Sequence, residues 1–224
     1  MKLSVQIISP VISKIFNKCI NEGIFPSSLK TAEIIPIYKK GNKLTASNYR
    51  PISLLPTLSK VFERHIHNTL SKFIDKHKIL HQFQYEFRNN SSTEMAISQL
   101  CEKLTTNMEK NLVTCSVFID LSKAFDTVDH AILLSKLNSY GIRGLANNLF
   151  KNYLDQRLQV TVVNGIRSTI KKVTCGVPQG SILGPLLFLL YVNDLPNVSL
   201  FDVRLFADDA CLLLRNKDSV MLQK

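Results

Sequence analysis

Two adjacent carboxylates lie between two apolar runs, and this pattern restricts the fold more than any other feature of the chain. Asp208 and Asp209 follow a largely apolar segment at 203–206 and precede another at 210–214. Each segment is typical of a β-strand, so the pattern predicts a hairpin with both acids in its turn. Like charges side by side repel each other unless a cation neutralises them. A divalent metal site is the simplest use of such a turn, although aspartate is also common in ordinary turns.

A third carboxylate, Asp120, ends the β-branched and apolar segment at 112–120. If this strand and the hairpin are neighbours in one sheet, three carboxylates meet at one edge. Carboxylate oxygens suit Mg²⁺, and two such ions about 3.5–4 Å apart can activate a hydroxyl and stabilise a leaving pyrophosphate. From spacing alone, an ordinary polar turn is as compatible with the sequence as a metal site.

Cysteine usage and hydropathy predict the cellular compartment of the protein. The five cysteines among 224 residues are dispersed and include no Cys-x-x-Cys pair. This usage predicts a reducing, intracellular compartment. The longest apolar run, 182–192, is too short to span a bilayer and predicts a buried helix, so we expect no membrane partner.

Positive charge is concentrated in the first half of the chain, which has a net charge of +11. Residues 1–113 carry 16 Lys and Arg against 8 Asp and Glu, whereas residues 114–224 carry 12 against 9. A basic half joined to a carboxylate-bearing half suits a polyanion held over a metal site. On charge alone, a nucleic-acid partner and a merely basic protein are both open.

Apolar periodicity predicts an α+β fold in which antiparallel strands pack on helices. Asn164-Gly165 predicts a type I′ hairpin turn, and Asp129 predicts a helix cap. The predicted helices cover 3–20, 58–75, 93–108, 130–140, 147–154 and 182–192, and the strands cover 32–38, 48–52, 112–120, 158–163, 166–173 and the two flanks of the Asp pair.

Six motifs in a fixed order carry a family resemblance. They are Ile-Pro-Ile-Tyr-Lys-Lys-Gly-Asn at 35–42, Asn-Tyr-Arg-Pro-Ile-Ser-Leu at 48–54, Gln-Tyr-Glu-Phe-Arg at 84–88, Phe-Ile-Asp-Leu-Ser-Lys-Ala-Phe-Asp-Thr-Val-Asp-His at 118–130, Gly-Val-Pro-Gln-Gly-Ser at 176–181 and Phe-Ala-Asp-Asp at 206–209. Together they closely resemble the reverse transcriptase domains of non-LTR (LINE-type) retrotransposons. The resemblance covers roughly residues 9–215.

The resemblance implies a right-hand polymerase fold. Residues 1–110 would form a basic, fingers-like subdomain, and residues 111–224 a partial palm with an antiparallel sheet packed on helices. The chain ends soon after Asp209, so a thumb is expected to be missing. The implied activity is dNTP addition to a primer 3′-hydroxyl by two-metal nucleotidyl transfer on an RNA template, and the nucleus is the family's usual place of action.

The resemblance also assigns metal ligands. Asp120 and Asp208 would be the principal ligands of two Mg²⁺ ions, for which Mn²⁺ can substitute. Asp209 would act less directly, and the carbonyl of Leu121 would complete one metal shell.

Five further positions would bind the nucleotide if the resemblance holds. Phe125 would lie under the sugar, where its ring would collide with a 2′-hydroxyl and so favour dNTP over rNTP. Gln179 and Gly180 would line the nucleotide pocket. Lys39 and Arg50 would grip the incoming triphosphate, since cations there offset charge on the phosphates.

One residue departs from the family pattern. Glu86 occupies a position where the family usually has glycine in the motif that ends at Arg88. If that position needs a positive φ or lies near the template backbone, glutamate would add strain and a misplaced charge. Arg88 itself is a candidate template contact.

Two other interpretations remain open at this point. The chain could be a catalytically inactive retrotransposon remnant that still binds RNA or RNA–DNA duplex, which Glu86 and the missing thumb favour. It could instead be an RNA-directed RNA polymerase, which Phe125 and the motifs outside the metal site disfavour.

Overall fold

The computed structural model describes residues 2–88 and 91–217, and within them the chain forms seven α-helices and eight β-strands. The helices are α1 (Lys2–Glu22), α2 (Thr57–Lys76), α3 (Thr93–Glu109), α4 (His130–Ser139), α5 (Gly144–Leu154), α6 (Leu183–Val192) and α7 (Leu195–Val198). The strands are β1 (Thr31–Tyr38), β2 (Tyr49–Leu54), β3 (Val113–Asp120), β4 (Arg157–Val163), β5 (Ile166–Arg167), β6 (Lys171–Val173), β7 (Asp202–Phe206) and β8 (Asp209–Asn216).

These elements divide into two compact units that are discontinuous in sequence. The first unit lies within Met1–Ser71 and Phe125–Gly184, and the second within Lys72–Ala124 and Pro185–Lys224. The predicted boundary near residue 110 separates a fingers-like subdomain from a partial palm, whereas these two units are defined by compactness alone. The division at residue 110 therefore stays a prediction.

The first unit contains a mixed sheet of five strands. Its order is β2-β1-β4-β5, and β6 also pairs with β4. The β1–β2 pair is antiparallel, as sequential strands joined by a short loop require. The β1–β4 pair is parallel, with Thr31 opposite Leu158 and Ile34 opposite Thr161, and the sequence did not predict it.

The Asn-Gly hairpin is confirmed. Asn164 and Gly165 have φ values of 50° and 79°, as a type I′ turn requires of its two central residues. The returning strand differs from the prediction, because the segment predicted at 166–173 is divided into β5 and β6.

Aromatic rings form part of the core of the first unit. The Phe25 ring stacks on Phe62 at 5.2 Å between centroids and meets the edge of Tyr153 at 5.0 Å. All three side chains are buried, so residues before β1, in α2 and in α5 contribute to one cluster. Offset and edge contacts of this kind add stability beyond the area they bury.

The N-terminal end of α6 is capped by a buried acid from α2. Glu63, which has no exposed surface, accepts hydrogen bonds at Oε2 from the backbone N–H of Ile182 (2.8 Å) and Leu183 (3.3 Å). Its Oε1 accepts a hydrogen bond of 3.0 Å from the Ser59 hydroxyl. A carboxylate at a helix N-terminus satisfies free N–H groups and interacts favourably with the helix dipole.

The second unit contains an antiparallel sheet of order β3-β8-β7. Val203, Leu205 and Leu213 are buried, whereas β3 is largely exposed along its length. Helix α3 contacts β3. The predicted α+β class, with an antiparallel sheet beside helices, is confirmed in this unit.

Helix α6 confirms the predicted buried apolar helix, and Leu187, Leu189 and Leu190 have no exposed surface. Of the helices in the part of the chain that the structure describes, none combines the length and apolarity needed to cross a bilayer.

Candidate active site

Strand pairing in the second unit brings two of the three predicted carboxylates together. Asp120 is the last residue of β3 and lies directly opposite Asp209, the first residue of β8. Residues directly opposite on neighbouring strands point to the same face of a sheet. Both residues are exposed, so this sheet edge presents two carboxylates to solvent.

The β7–β8 hairpin places Asp208 differently from Asp209. Phe206 pairs with Asp209, so the two-residue turn consists of Ala207 and Asp208. The expectation that both acids occupy the turn was therefore wrong for Asp209, which belongs to the strand. Asp208 is half-buried, and its carbonyl accepts a hydrogen bond of 3.2 Å from the Leu121 N–H. The backbone that follows Asp120 is thereby tied to the turn.

Backbone pairing brings Asp120, Asp208 and Asp209 close together, but their side chains are not arranged as a complete metal site. Among residues 2–88 and 91–217, no group of three or more His, Cys, Asp or Glu side chains is arranged to hold a metal ion. The Leu121 carbonyl accepts a hydrogen bond of 3.2 Å from the Ala124 N–H. The donor set is oxygen-only, the kind that hard divalent cations prefer, so its chemistry fits the predicted metal.

The turn has an unusual backbone conformation. Ala207 is 3% exposed and has a φ of 51° at the first central position of the hairpin turn. In type II′ turns, glycine is the usual residue at this position because a Cβ there is strained. Strained backbone of this kind occurs preferentially where a side chain must be held in one orientation, and Asp208 is the next residue.

Glu86 lies within electrostatic reach of the aspartates. Its backbone is not among the positive-φ positions of the described chain; that conformation belongs to its neighbour Phe87, whose φ is 53°. The expected backbone strain at Glu86 was therefore wrong. Burial and then the charges of Asp208 and Asp209 raise the pKa of the Glu86 carboxyl above 4.5, whereas the conflict with the template backbone stays a prediction.

This raised pKa predicts a pH-dependent stability difference. The folded protein holds the Glu86 proton more tightly than the unfolded chain, so folded-state stability falls as the pH rises from below 4.5 through the raised pKa. Glu86→Gln should therefore be more stable than the unsubstituted protein at neutral pH, and the difference should vanish in acid. Urea unfolding across this pH range, in EDTA, measures it. The exposed Glu102 provides the matched control, and equal pH profiles for Glu86→Gln and Glu102→Gln would contradict the prediction.

Gln179 and Gly180 lie in a loop of the first unit that is tied to β2. The Gln179 carbonyl accepts a hydrogen bond of 2.7 Å from the Ser53 N–H. Gly180 has a φ of 104°, and an added Cβ would lie 2.9 Å from the Ser53 carbonyl oxygen. Both the conformation and the close approach require glycine. The Gln179 side chain donates from Nε2 to Asp126 at 2.9 Å, which fixes its orientation.

Phe125 lies in a 3₁₀ turn that is bound to the same loop. The Phe125 carbonyl accepts a hydrogen bond of 2.8 Å from the Val177 N–H, and the Val128 carbonyl accepts one of 2.8 Å from Gly176. The Phe125 residue is half-buried. These bonds hold Phe125 and the loop that carries Gln179 in one local arrangement within the first unit.

A cavity of about 390 Å³ with a mixed polar and apolar lining lies beside this loop in the first unit. Asp126, Gln179 and Arg157 are among the residues that line it. The cavity thus adjoins Gln179 and Asp126, which are hydrogen-bonded to each other, and the buried residue Arg157, which is 1% exposed. Its size is within the range of small-molecule sites.

The basic side chains predicted to bind phosphate or template differ in their exposure and hydrogen bonding. Lys39 and Arg50 are exposed on the β1–β2 hairpin, where Lys39 N–H donates to the Asn48 carbonyl at 2.9 Å and Arg50 lies opposite Ile37. Arg88 donates from Nη1 to the carbonyls of His81 (2.9 Å) and Gln84 (3.2 Å). Arg88 therefore stabilises its own loop, and its contact with template stays a prediction.

Comparison with known proteins identifies the family. The sequence model described as "Reverse transcriptase (RNA-dependent DNA polymerase)" matches residues 37–224. The chain is 35% identical over 218 residues to the RNA-directed DNA polymerase from mobile element jockey of Drosophila melanogaster, covering 92% of this chain and 23% of that protein. It is also 35% identical over 212 residues to the probable RNA-directed DNA polymerase from transposon X-element of the same species, with the same coverage. This chain therefore belongs to the reverse transcriptase family.

The fold is also similar to that of a solved telomerase structure. A structure of telomerase from Candida tropicalis in complex with a fragment of telomeric RNA matches with a TM-score of 0.62 at 13% identity. The match covers 87% of this chain and 37% of the telomerase chain. The predicted reverse transcriptase fold is thus confirmed, whereas the chain spans about a quarter of the length of its mobile-element relatives.

Proposed function

We propose that this chain is the polymerase part of an RNA-directed DNA polymerase that extends a DNA primer with dNTPs on an RNA template. One observation carries the proposal: in a member of the reverse transcriptase family, Asp120 and Asp209 are paired across β3 and β8 and Asp208 occupies the adjoining turn. By analogy with its mobile-element relatives, its place of action would be the nucleus.

The three aspartates would supply the oxygen ligands of the divalent ions, with Asp120 and Asp208 as principal ligands. Bound Mg²⁺ or Mn²⁺ would favour ionisation of the primer hydroxyl and neutralise the leaving pyrophosphate. In the reaction, the primer 3′-oxygen forms a bond to the α-phosphorus as the bond to pyrophosphate breaks. The hydroxyl proton passes to solvent. The protein contributes position and charge, not a covalent intermediate.

The nucleotide would be bound by residues of the first unit. Lys39 and Arg50, both exposed cations, would contact the triphosphate. The fixed backbone around Gly180 and the oriented amide of Gln179 support roles in nucleotide binding. Phe125, which is held by its hydrogen-bonded loop, would exclude a 2′-hydroxyl.

Primer extension tests the proposal directly. The protein is incubated with an RNA template annealed to a DNA primer, dNTPs and either Mg²⁺ or Mn²⁺, and products are separated by length. We expect extension that stops on addition of EDTA. In a second arm with rNTPs, Phe125→Ala should incorporate ribonucleotides more readily than the unsubstituted protein. Unchanged discrimination would remove the sugar-excluding role of Phe125 but not the polymerase.

A second candidate function is supported by Glu86. A carboxylate within electrostatic reach of Asp208 and Asp209 adds negative charge where the template backbone is expected. The chain would then be an inactive remnant that binds RNA or RNA–DNA duplex. Duplex binding without incorporation, with both cations, would favour the remnant. The absence of both binding and incorporation would contradict both functions.

A further inference from the structure

A short segment before Glu86 extends the sheet of the second unit. The Leu205 N–H donates to the Phe83 carbonyl at 2.9 Å, and the Tyr85 N–H donates to the Leu205 carbonyl at 3.1 Å. The two bonds form a parallel bridge between Gln84 and Leu205. Gln84 is therefore fixed beside β7, the strand that leads into the turn at Ala207 and Asp208.

The Gln84 side chain contacts this turn directly. Its Oε1 accepts hydrogen bonds from the backbone N–H of Ala207 (3.2 Å) and of Glu86 (3.2 Å). Because both partners are donors, the oxygen and not the nitrogen of the amide must face them. Gln84 is 1% exposed, so these bonds are shielded from water.

The Ala207 N–H would otherwise be a buried donor in a strained turn. Ala207 is 3% exposed, and a buried N–H without an acceptor is costly. Gln84 supplies that acceptor at the residue with a φ of 51°. The bond therefore favours the one turn conformation that leads into Asp208.

We propose that Gln84 is a positioning residue: its buried side-chain oxygen holds the Ala207 N–H and so fixes the orientation in which Asp208 is presented to a divalent cation. The catalytic consequence rests on the proposed polymerase function. The positioning itself does not, because it concerns only backbone and side-chain atoms of the second unit.

The chain offers matched variants. Gln84→Met keeps the length and much of the volume of the side chain but removes the acceptor. The nearby, exposed Gln82 provides the control substitution Gln82→Met.

Two measurements on the full chain test the proposal. Amide hydrogen exchange at Ala207 should be about tenfold faster in Gln84→Met, because one hydrogen bond is lost, and unchanged in Gln82→Met. The Mn²⁺ concentration at half-saturation, followed by electron paramagnetic resonance, should rise about 10- to 100-fold in Gln84→Met. In primer extension, kcat should fall in the same variant while KM for dNTP is unchanged.

Several results would overturn the proposal. Unchanged exchange at Ala207 in Gln84→Met would do so, and so would equal acceleration of all amides in β7 and β8, which indicates general destabilisation. If Gln84→Met does not fold, Gln84→Asn, whose amide is one carbon shorter, provides the same comparison. If the unsubstituted protein does not polymerise while Ala207 exchange and Mn²⁺ binding respond as expected, the proposed function fails and the positioning role stands.

Discussion

Asp208→Asn should reduce dNTP incorporation about 100- to 1,000-fold, the range observed when one preorganised electrostatic contact is removed from an active site. Asparagine has nearly the same shape as aspartate but carries no charge, so it is a poor ligand for a hard cation. The fold should persist, because the turn is held through backbone atoms: the Asp208 carbonyl accepts from the Leu121 N–H and Phe206 pairs with Asp209. Single-nucleotide incorporation at saturating dNTP measures the effect.

Asp75→Asn is the matched control for this result. Asp75 is an exposed acid near the end of α2, and its substitution should leave incorporation unchanged. Similar losses in both variants would point to a general effect of charge. Undiminished incorporation by Asp208→Asn would contradict the assignment of Asp208 as a principal metal ligand.

Glu63→Ala should lower the free energy of unfolding by about 3–5 kcal/mol, because several buried donors lose their acceptor at a cost of about 1–3 kcal/mol each. The substitution removes the acceptor for the N–H groups of Ile182 and Leu183 and for the Ser59 hydroxyl. It also leaves a cavity at a residue with no exposed surface. Urea unfolding, followed by circular dichroism, measures the change.

Two further variants test which property of Glu63 accounts for the loss of stability in Glu63→Ala. Glu63→Gln keeps an acceptor oxygen and should be destabilised less than Glu63→Ala. Glu22→Ala removes an exposed acid whose pair with Lys18 spans 3.8 Å, and it should change stability by no more than about 0.5 kcal/mol. Equal losses for Glu63→Gln and Glu63→Ala would show that the charge, and not the acceptor, stabilises the start of α6.

Local sequence patterns predicted most of the elements, because each depends on nearby residues. Asp129 accepts a hydrogen bond of 2.9 Å from the Ile132 N–H and caps α4, as its position before an apolar helix indicates. The Asn164-Gly165 turn follows from the ability of both residues to adopt a positive φ. The parallel β1–β4 pair was not predictable in this way, since its register depends on packing between distant segments.

The acidic residues of the candidate site were predictable from the sequence, but the residue that positions the turn beside them was not. Charge and apolar flanks indicate Asp120, Asp208 and Asp209 without any structure. Periodicity does not show that Asp209 belongs to β8, because a hairpin can close at either residue. Gln84 belongs to the motif at 84–88, but the motif did not indicate its role, because a glutamine between aromatic residues has no distinctive chemistry until its side-chain oxygen is seen to accept a hydrogen bond from the Ala207 N–H.

The parallel pairing of Thr31 with Leu158 has a consequence for how the protein is made. Strand β1 emerges from the ribosome long before its neighbour β4, so the sheet of the first unit cannot be completed during synthesis of the intervening residues. Contacts between such distant segments slow folding and prolong the exposure of apolar strands. Recombinant expression at reduced temperature or with chaperones should therefore increase the yield of folded chain, and division at residue 110 would separate β1 from β4.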